Sequence, residues 1–235
     1  MVLNKSNILI GGIVLLCISF TLFQFQELDY ISNISKALIV PLITVLYFIN
    51  AKYKSTYFTW FFILFSFSEL LVFSEYFLKT KNELHFYYVI GNSLYILAYI
   101  FLLNEVIKGL NFKKVFKNYK LQLFVLSILN IYIVYVLYTI VQPLLALSSM
   151  VFIEFVYNTV MLLLLTFALI AYFYNDNKKS LLFFLGTLCL VFSEFIQVAY
   201  FYITDKNLFI FASTLLFVMA FCFFYFHAKT RSVNI

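Results

Sequence analysis

The chain contains eight predominantly apolar stretches, each about as long as a helix that crosses a lipid bilayer. A hydrocarbon core about 30 Å thick requires about 20 apolar residues per helical span. Hydrophobic residues make up 65% of the 235 residues and charged residues only 11%, whereas soluble domains contain about 25% charged residues. We therefore predict an all-α integral membrane protein whose single polytopic domain covers 1–235. The eight predicted spans are 8–24, 37–51, 57–78, 86–107, 121–141, 149–174, 178–203 and 207–228.

The connections between these spans are too short to hold a soluble domain. The longest runs from Lys108 to Lys120, which excludes an attached kinase, nucleotide-binding or DNA-binding module. Any function is therefore expected inside the membrane bundle. The basic residues of this connection are expected to contact anionic lipid headgroups, and nucleic acid is not expected as a partner. The sequence contains no indication of oligomeric state.

The distribution of Lys and Arg predicts the orientation of the chain. Cytoplasmic loops of membrane proteins carry an excess of these residues. The two termini and the connections on the same side of the membrane hold twelve of the 16 Lys and Arg residues, and the connections on the other side hold four. We therefore predict that both termini are cytoplasmic. The four basic residues on the outer side are Lys36, Lys79, Lys81 and Lys206.

An internal repeat divides the chain into two halves of four spans each. A shift of 125 residues aligns YFINAKYKS at 47–55 with YFYNDNKKS at 172–180, FSE at 67–69 with FSE at 192–194, and Lys81-Asn82 with Lys206-Asn207. Three matches in one gapless frame predict two repeats, at about 8–110 and 121–228. Because four spans return the chain to its starting side, the repeats are expected to be parallel.

Two glutamates lie at equivalent positions of the repeat inside otherwise apolar spans. Helical rise places Glu69 and Glu194 at or just beyond the bilayer midplane, toward the outer side. A carboxylate at this depth costs at least ~2.5 kcal/mol and is expected to face the bundle interior, where it finds partners or loses its charge. No Lys or Arg is expected within reach of them. Because two such acids are a poor means of joining helices, the pair is the best candidate for a functional site.

Further polar residues recur at helical spacing in the same half of the membrane. Asn92, Tyr95 and Tyr99 follow each other on the fourth span, and Glu154 and Asn158 are four residues apart on the sixth. These stripes and Glu75 would line an outward-facing polar cavity with Glu69 and Glu194. Alternatively, the Asn and Tyr residues form hydrogen bonds between helices, worth about 0.6 kcal/mol each in membranes. For Glu75 and Glu154, the alternative to lining the cavity is a position in solvent or at the membrane interface.

Several short motifs resemble the YhhN-type membrane proteins, the lysoplasmalogenase family. They are SKALIVPLITVLYF at 35–48, FSFSELL at 65–71, GNSLYILAYIFL at 91–102 and LVFSEF at 190–195. Members of that family usually carry Lys-Pro at Lys36-Ala37, Gly-Asp at Ser68-Glu69 and Ser-Asp at Ser193-Glu194, and often His at Tyr99. This chain thus has an acidic residue at both positions, and each Glu is one methylene group longer than the Asp of the family pattern.

The resemblance implies hydrolysis of the vinyl ether bond of a lysoplasmalogen-type lipid, taken from the bilayer. The products would be a fatty aldehyde and a glycerophospho-headgroup. Glu69 and Glu194 would then be the catalytic acid and the cation-stabilising carboxylate, in an order that the repeat leaves open. Lys36 would bind the headgroup phosphate or, alternatively, only extend its amine to the interface. This chemistry requires no metal and no organic cofactor.

Two other classes of function also fit a bundle with acidic residues at the midplane. A transporter or lipid-binding protein could use Glu69 and Glu194 to carry protons or to bind a cationic group, and a structural subunit could use them to join helices. With only 5 Gly and 2 Pro in the chain, the broken helices that form many transporter sites are not expected. The Lys-rich, Arg-poor composition favours a multi-pass protein of a bacterial cytoplasmic membrane.

Overall fold

The computed structural model describes residues 5–52, 54–145, 147–204 and 206–230, and these ranges contain helices and no strand. Eight spans within them are long and apolar enough to cross a membrane. Two of these spans are each made of two consecutive helices. The α-helices are α1 (Lys5–Phe25), α2 (Asp29–Ala37), α3 (Ile39–Asn50), α4 (Thr56–Leu70), α5 (Val72–Glu75), α6 (Lys81–Ile107), α7 (Phe112–Asn118), α8 (Lys120–Val141), α9 (Ser148–Asn175), α10 (Lys178–Tyr202) and α11 (Asn207–Lys229), and a 3-10 helix at Gln142–Leu144 follows α8.

The second span begins eight residues earlier than predicted and is broken near its middle. It runs from Asp29 to Asn50, with α2 and α3 meeting at Leu38. Pro41 explains the break, because its ring nitrogen has no hydrogen to donate to the Ala37 carbonyl four residues earlier. Lys36 therefore lies in α2, inside the span and not in the connection before it. The expectation that no basic residue reaches the buried acids is wrong for this reason.

The third span is also broken, just beyond Glu69. Here α4 gives way to α5 at Leu71, and the span ends at Glu75. The Leu71 N–H donates to the Ser68 carbonyl at 3.1 Å, in a tighter turn than an α-helix has. The Ser74 hydroxyl donates to the Leu71 carbonyl at 2.7 Å. Each interruption is a single junction residue within a span that continues on both sides, so the prediction that the broken helices of many transporter sites are not expected stays a prediction.

Local capping explains two other departures from the predicted boundaries. Helix α6 begins five residues before the predicted span because Thr80 and Glu83 form a capping box, in which each side chain accepts a hydrogen bond from the other residue's N–H. In the longest connection, the Asn111 side chain accepts a hydrogen bond from the Lys114 N–H and starts the short helix α7.

A layer of phenylalanine rings fills the centre of the bundle. Phe58, Phe61 and Phe65 lie on one face of α4 and meet Phe221 and Phe224 of α11, with ring centroids 4.8 to 6.1 Å apart. We call these five residues the aromatic layer. All of them are almost completely buried. Many apolar side chains of α1 and α8 are exposed instead, as expected of surfaces that face lipid.

Helices α4, α6, α9 and α10 surround the space in which the polar residues meet. Helix α6 packs against both α4 and α9, and α10 packs against α9 and α11. The acidic residues Glu69 of α4 and Glu194 of α10 therefore approach the same face of the bundle interior from different helices. Both lie in the half of the bundle where α4 and α10 approach their C-terminal ends and where α6 and α9 begin.

Candidate functional site

A polar cavity of about 360 Å³ lies in this half of the bundle. It opens at a mouth that includes Asn33 and Phe201, which are exposed. The side chains inside it are mainly acidic, phenolic and amide groups. The lining residues that carry the argument are Lys36, Glu69, Tyr88, Glu154, Tyr157 and Glu194.

The structure brings seven of the nine predicted site residues to this cavity. They are Lys36, Glu69, Asn92, Tyr95, Glu154, Asn158 and Glu194. Tyr99 lies behind the cavity wall, fully buried, and reaches the site through its hydroxyl group. Glu75 does not line the cavity. It is exposed at the end of α5, which agrees with the solvated alternative and corrects its prediction as a lining residue.

One face of α6 carries three tyrosines, each of which donates a hydrogen bond to a glutamate of a different helix. The Tyr88 hydroxyl donates to Glu154 of α9 at 2.5 Å, and the Tyr95 hydroxyl donates to Glu69 of α4 at 2.8 Å. The Tyr99 hydroxyl donates to Glu194 of α10 at 3.3 Å. The spacing of seven and four residues keeps the three tyrosines on one side of the helix. Together with the glutamates, they connect four helices through hydrogen bonds.

The hydroxyl group of Tyr99 has a second partner. It lies 3.1 Å from the hydroxyl of Tyr157, which is also buried and belongs to α9. Their rings are in contact, with centroids 5.4 Å apart. The two phenols therefore form one hydrogen-bonded pair next to Glu194, while Tyr95 supports Glu69 with its own hydroxyl group.

Lys36 is the cation of this cavity. Its amine lies 5.4 Å from the centroid of the buried Phe217 ring, within the range of a cation–π interaction. Phe217 in turn contacts Phe65, one helical turn before Glu69, with centroids 5.8 Å apart. No ion pair within 4.0 Å joins Lys36 to a carboxylate in the described part of the chain. The amine is therefore available to a negatively charged group of a ligand.

Sequence patterns did not indicate several residues that line the cavity. Tyr88 extends the stripe of Asn92 and Tyr95 by one turn, so the helical period contained a signal that could have identified it. Asn33 is the repeat equivalent of Asn158, but it lies before the predicted start of its span. Nothing in the pattern distinguishes Tyr87, Tyr157 or Tyr202 from the other tyrosines in a chain that contains 19 of them.

A second polar cavity, of about 350 Å³, lies at the opposite end of the bundle. Its lining includes Lys108, Lys179 and His227. The His227 Nδ1–H donates a hydrogen bond to the Lys179 carbonyl at 2.8 Å, and the His227 ring contacts the Phe58 ring at 5.3 Å between centroids. The aromatic layer thus lies between the two cavities, with Phe65 at the first and Phe58 next to the second.

No protein-family model, curated protein or solved structure matches this chain. The resemblance to the lysoplasmalogenase family rests on the short motifs alone. An assignment of function therefore depends on the chemistry of the cavity.

Proposed function

We propose that the protein is an intramembrane hydrolase that cleaves the vinyl ether bond of a lysoplasmalogen-type lipid. The observation that carries this proposal is the meeting of Glu69 and Glu194, from different helices, in one polar cavity with a tyrosine donor at each carboxyl group. A purely structural role would require only partners that neutralise the acids, and would leave no purpose for a cavity around them.

Two carboxyl groups supply what cleavage of a vinyl ether requires. A carboxylic acid protonates the alkene carbon that is not bonded to the ether oxygen and creates an oxocarbenium ion at the other. A nearby carboxylate stabilises that cation, as in glycoside hydrolysis. Water adds to the cationic carbon and loses a proton, and the resulting hemiacetal collapses to an aldehyde and an alcohol. The net reaction consumes one water, and no redox step is involved.

The remaining lining residues fit a lysolipid with a phosphate-containing headgroup. Lys36 would meet the phosphate, because it supplies a positive charge that is not taken by an ion pair. Apolar residues at the same wall, among them Val72, Val198 and the exposed Phe201, would accept the start of the hydrocarbon chain. The bilayer itself would deliver the substrate to this mouth.

The test of the proposal is the release of aldehyde from lysoplasmalogen by the purified protein in detergent. The saturated alkyl-ether analogue serves as the substrate control, because it has no alkene to protonate. We expect aldehyde only from the vinyl ether. Glu69→Gln and Glu194→Gln should each lower the rate by about 100-fold or more, the usual contribution of general acid–base catalysis.

A matched variant separates loss of catalysis from loss of a charge. Glu27 is an exposed glutamate in the connection before α2 and lies outside the cavity. Glu27→Gln should therefore retain the wild-type rate. Absence of aldehyde from the folded wild-type protein, with several headgroups, would reject the hydrolase.

Pairs of equivalent positions on the cavity wall support the parallel repeat. The frame of 125 residues relates Asn33 to Asn158, Glu69 to Glu194 and Val72 to Gln197, and all six residues line the same cavity. The frame also aligns DYISN at 29–33 with EFVYN at 154–158. We infer a pseudo-twofold axis that passes through the cavity along the membrane normal.

We further propose that both termini are cytoplasmic and that the cavity opens to the outer face of a bacterial cytoplasmic membrane. The unequal division of Lys and Arg between the two sides supports this orientation. The cavity lies at the end of the bundle with fewer basic connections. A lipid in the outer leaflet would then have the shortest route to Glu69 and Glu194.

A second candidate function, transport, is favoured by the cavity at the opposite end of the bundle. Two polar cavities of similar volume on either side of the aromatic layer resemble two vestibules that are closed from each other. The breaks at Leu38 and Leu71 also lie next to the first cavity. Uptake of a labelled lysolipid by proteoliposomes, without formation of aldehyde, would favour this function over hydrolysis.

A further inference from the structure

The hydrogen bonds around the two carboxyl groups differ, although the groups are equivalent in the repeat. Glu69 accepts a hydrogen bond from Tyr95 at 2.8 Å. Glu194 accepts from Tyr99 at 3.3 Å, and the Tyr99 hydroxyl also contacts Tyr157. Because hydrogen bonds to ionised carboxylates are short and strong, the geometry at Glu69 fits a carboxylate better than the geometry at Glu194 does.

Lys36, the only basic residue among the described residues that line the cavity, lies on a helix that packs against the helix of Glu69. Helix α2 carries Lys36 and packs against α4 and α5. The ring beneath the Lys36 amine, Phe217, contacts Phe65 one turn before Glu69. A positive charge on this side favours the ionised form of Glu69. Glu194 lies on α10, which packs against α9, the helix of Glu154, and against α11, the helix of Phe217.

Three acids and one basic residue share the cavity, so full ionisation would leave like charges facing each other. Like-charged carboxyl groups in one site do not all ionise, and one of them retains a proton. Glu154 has its own close donor in Tyr88. Glu194 accepts the longest of the three hydrogen bonds from the α6 tyrosines. The titratable, charged and apolar groups that face the pair from each neighbouring helix are Lys36 of α2, Tyr87, Tyr88, Tyr95 and Tyr99 of α6, Glu154 and Tyr157 of α9, Tyr202 of α10 and Phe217 of α11.

We propose that Lys36 and the α6 tyrosines divide the roles of the two equivalent acids, so that Glu194 carries the proton and Glu69 remains a carboxylate. In the hydrolysis, Glu194 would protonate the alkene carbon and Glu69 would stabilise the oxocarbenium ion. Tyr95, Tyr99 and Tyr157 are positioning residues that act through the carboxyl groups. The catalytic part of this inference rests on the proposed function, whereas the difference in protonation does not.

Labelling with dicyclohexylcarbodiimide tests the difference in protonation without any substrate. The reagent is apolar and adds to protonated carboxyl groups, and peptide mass mapping quantifies the adduct at each glutamate. At about pH 8 we expect Glu194 to be labelled at least about 5-fold faster than Glu69. Labelling at about pH 4.5, near the ordinary pKa of glutamic acid, gives the reference for access of the reagent, and the two rates should approach each other there.

Substitution of the basic residue extends the test. Lys36→Gln should raise labelling of Glu69 at about pH 8 several-fold, since the charge that favours its ionised form is lost. Lys206→Gln is the matched control, because Lys206 is exposed on the same side of the bundle and does not line the cavity. Tyr95→Phe, which retains the ring and removes the donor to Glu69, should act in the same direction as Lys36→Gln.

In the wild-type protein, each labelling rate at about pH 8 is divided by the rate of the same residue at about pH 4.5. If this ratio is equal for Glu69 and Glu194, or larger for Glu69, the inference is overturned. An unchanged Glu69 rate in both Lys36→Gln and Tyr95→Phe would overturn it as well. The result is separable from the test of hydrolysis. Preferential labelling of Glu194 without aldehyde release would reject the hydrolase alone, and aldehyde release with equal labelling would reject the division of roles alone.

Discussion

The buried glutamates are compatible with an apolar bundle because each has a phenolic donor. A carboxyl group buried without a partner would retain the full cost of desolvation. Tyr88, Tyr95 and Tyr99 remove much of this cost for Glu154, Glu69 and Glu194. Tyrosine suits this task because its ring packs among apolar side chains while its hydroxyl group bonds to a polar partner.

Removal of one of these donors should lower stability. Tyr88→Phe leaves the ring in place but removes the hydrogen bond to Glu154, so the free energy of unfolding should fall by about 1 to 3 kcal/mol. Thermal unfolding in a fixed detergent measures the change. Tyr132→Phe is the control, because Tyr132 is 63% exposed on α8 and its substitution should leave the midpoint unchanged. Equal midpoints for the two variants would contradict a stabilising role of the Tyr88 hydroxyl group.

The helices differ in how closely they approach one another. Helices α10 and α11 form a close contact at Gly186, where an added Cβ would lie 2.8 Å from the Phe224 ring and 3.2 Å from the Ala220 carbonyl oxygen. Small residues at helix interfaces allow close approach in membranes, where packing is a main source of association. This contact fixes α10, which carries Glu194, against α11 and the aromatic layer. Gly186 thus contributes to the site through the position of a helix.

Substitution of this glycine should separate the two helices. Gly186→Ala should destabilise the protein by about 1 to 3 kcal/mol, the usual cost of overpacking. Gly11→Ala is the matched control, because no atom lies within 4 Å of its added Cβ and alanine favours a helix by up to about 1 kcal/mol. Thermal unfolding should therefore show a lower midpoint for Gly186→Ala and an equal or higher one for Gly11→Ala. Identical midpoints would show that the close approach is not required.

At the scale of the whole molecule, two polar cavities are separated by the aromatic layer. The rings of Phe61, Phe65, Phe221 and Phe224 form a closed ring of contacts. Water and ions are therefore not expected to pass between the cavities while the layer is closed. Chemistry at Glu69 and Glu194 would be supplied with water from one side of the membrane only.

Cysteine labelling in whole cells should show this separation and the orientation together. In a background in which Cys17, Cys189 and Cys222 are replaced by alanine, Asn92→Cys should react with a membrane-impermeant thiol reagent applied from outside. Asn175→Cys, in the second cavity, should react only in inside-out vesicles. Labelling of both cysteines from the same side would contradict the separation, and the reverse pattern would contradict the orientation.

Much of the fold follows directly from the sequence. The length of eight apolar stretches requires eight spanning helices, because a backbone in lipid must satisfy its hydrogen bonds within each helix. The helix ends were less predictable, since Pro41, Ser74 and the capping box at Thr80 act through individual hydrogen bonds that hydropathy does not register. For the same reason the breaks in the second and third spans were missed.

The sequence alone also identified most of the candidate site. The cost of charge in lipid isolated Glu69 and Glu194, and helical spacing added Asn92, Tyr95, Glu154 and Asn158. Only the tertiary structure decided which groups lie near these acids, because Tyr88 donates to Glu154 from another helix, and Tyr157 and Lys36 line the same cavity from α9 and α2. It also excluded Glu75, which is exposed and does not line the cavity. Periodicity describes one helix at a time, whereas a site built from seven helices depends on how their faces meet.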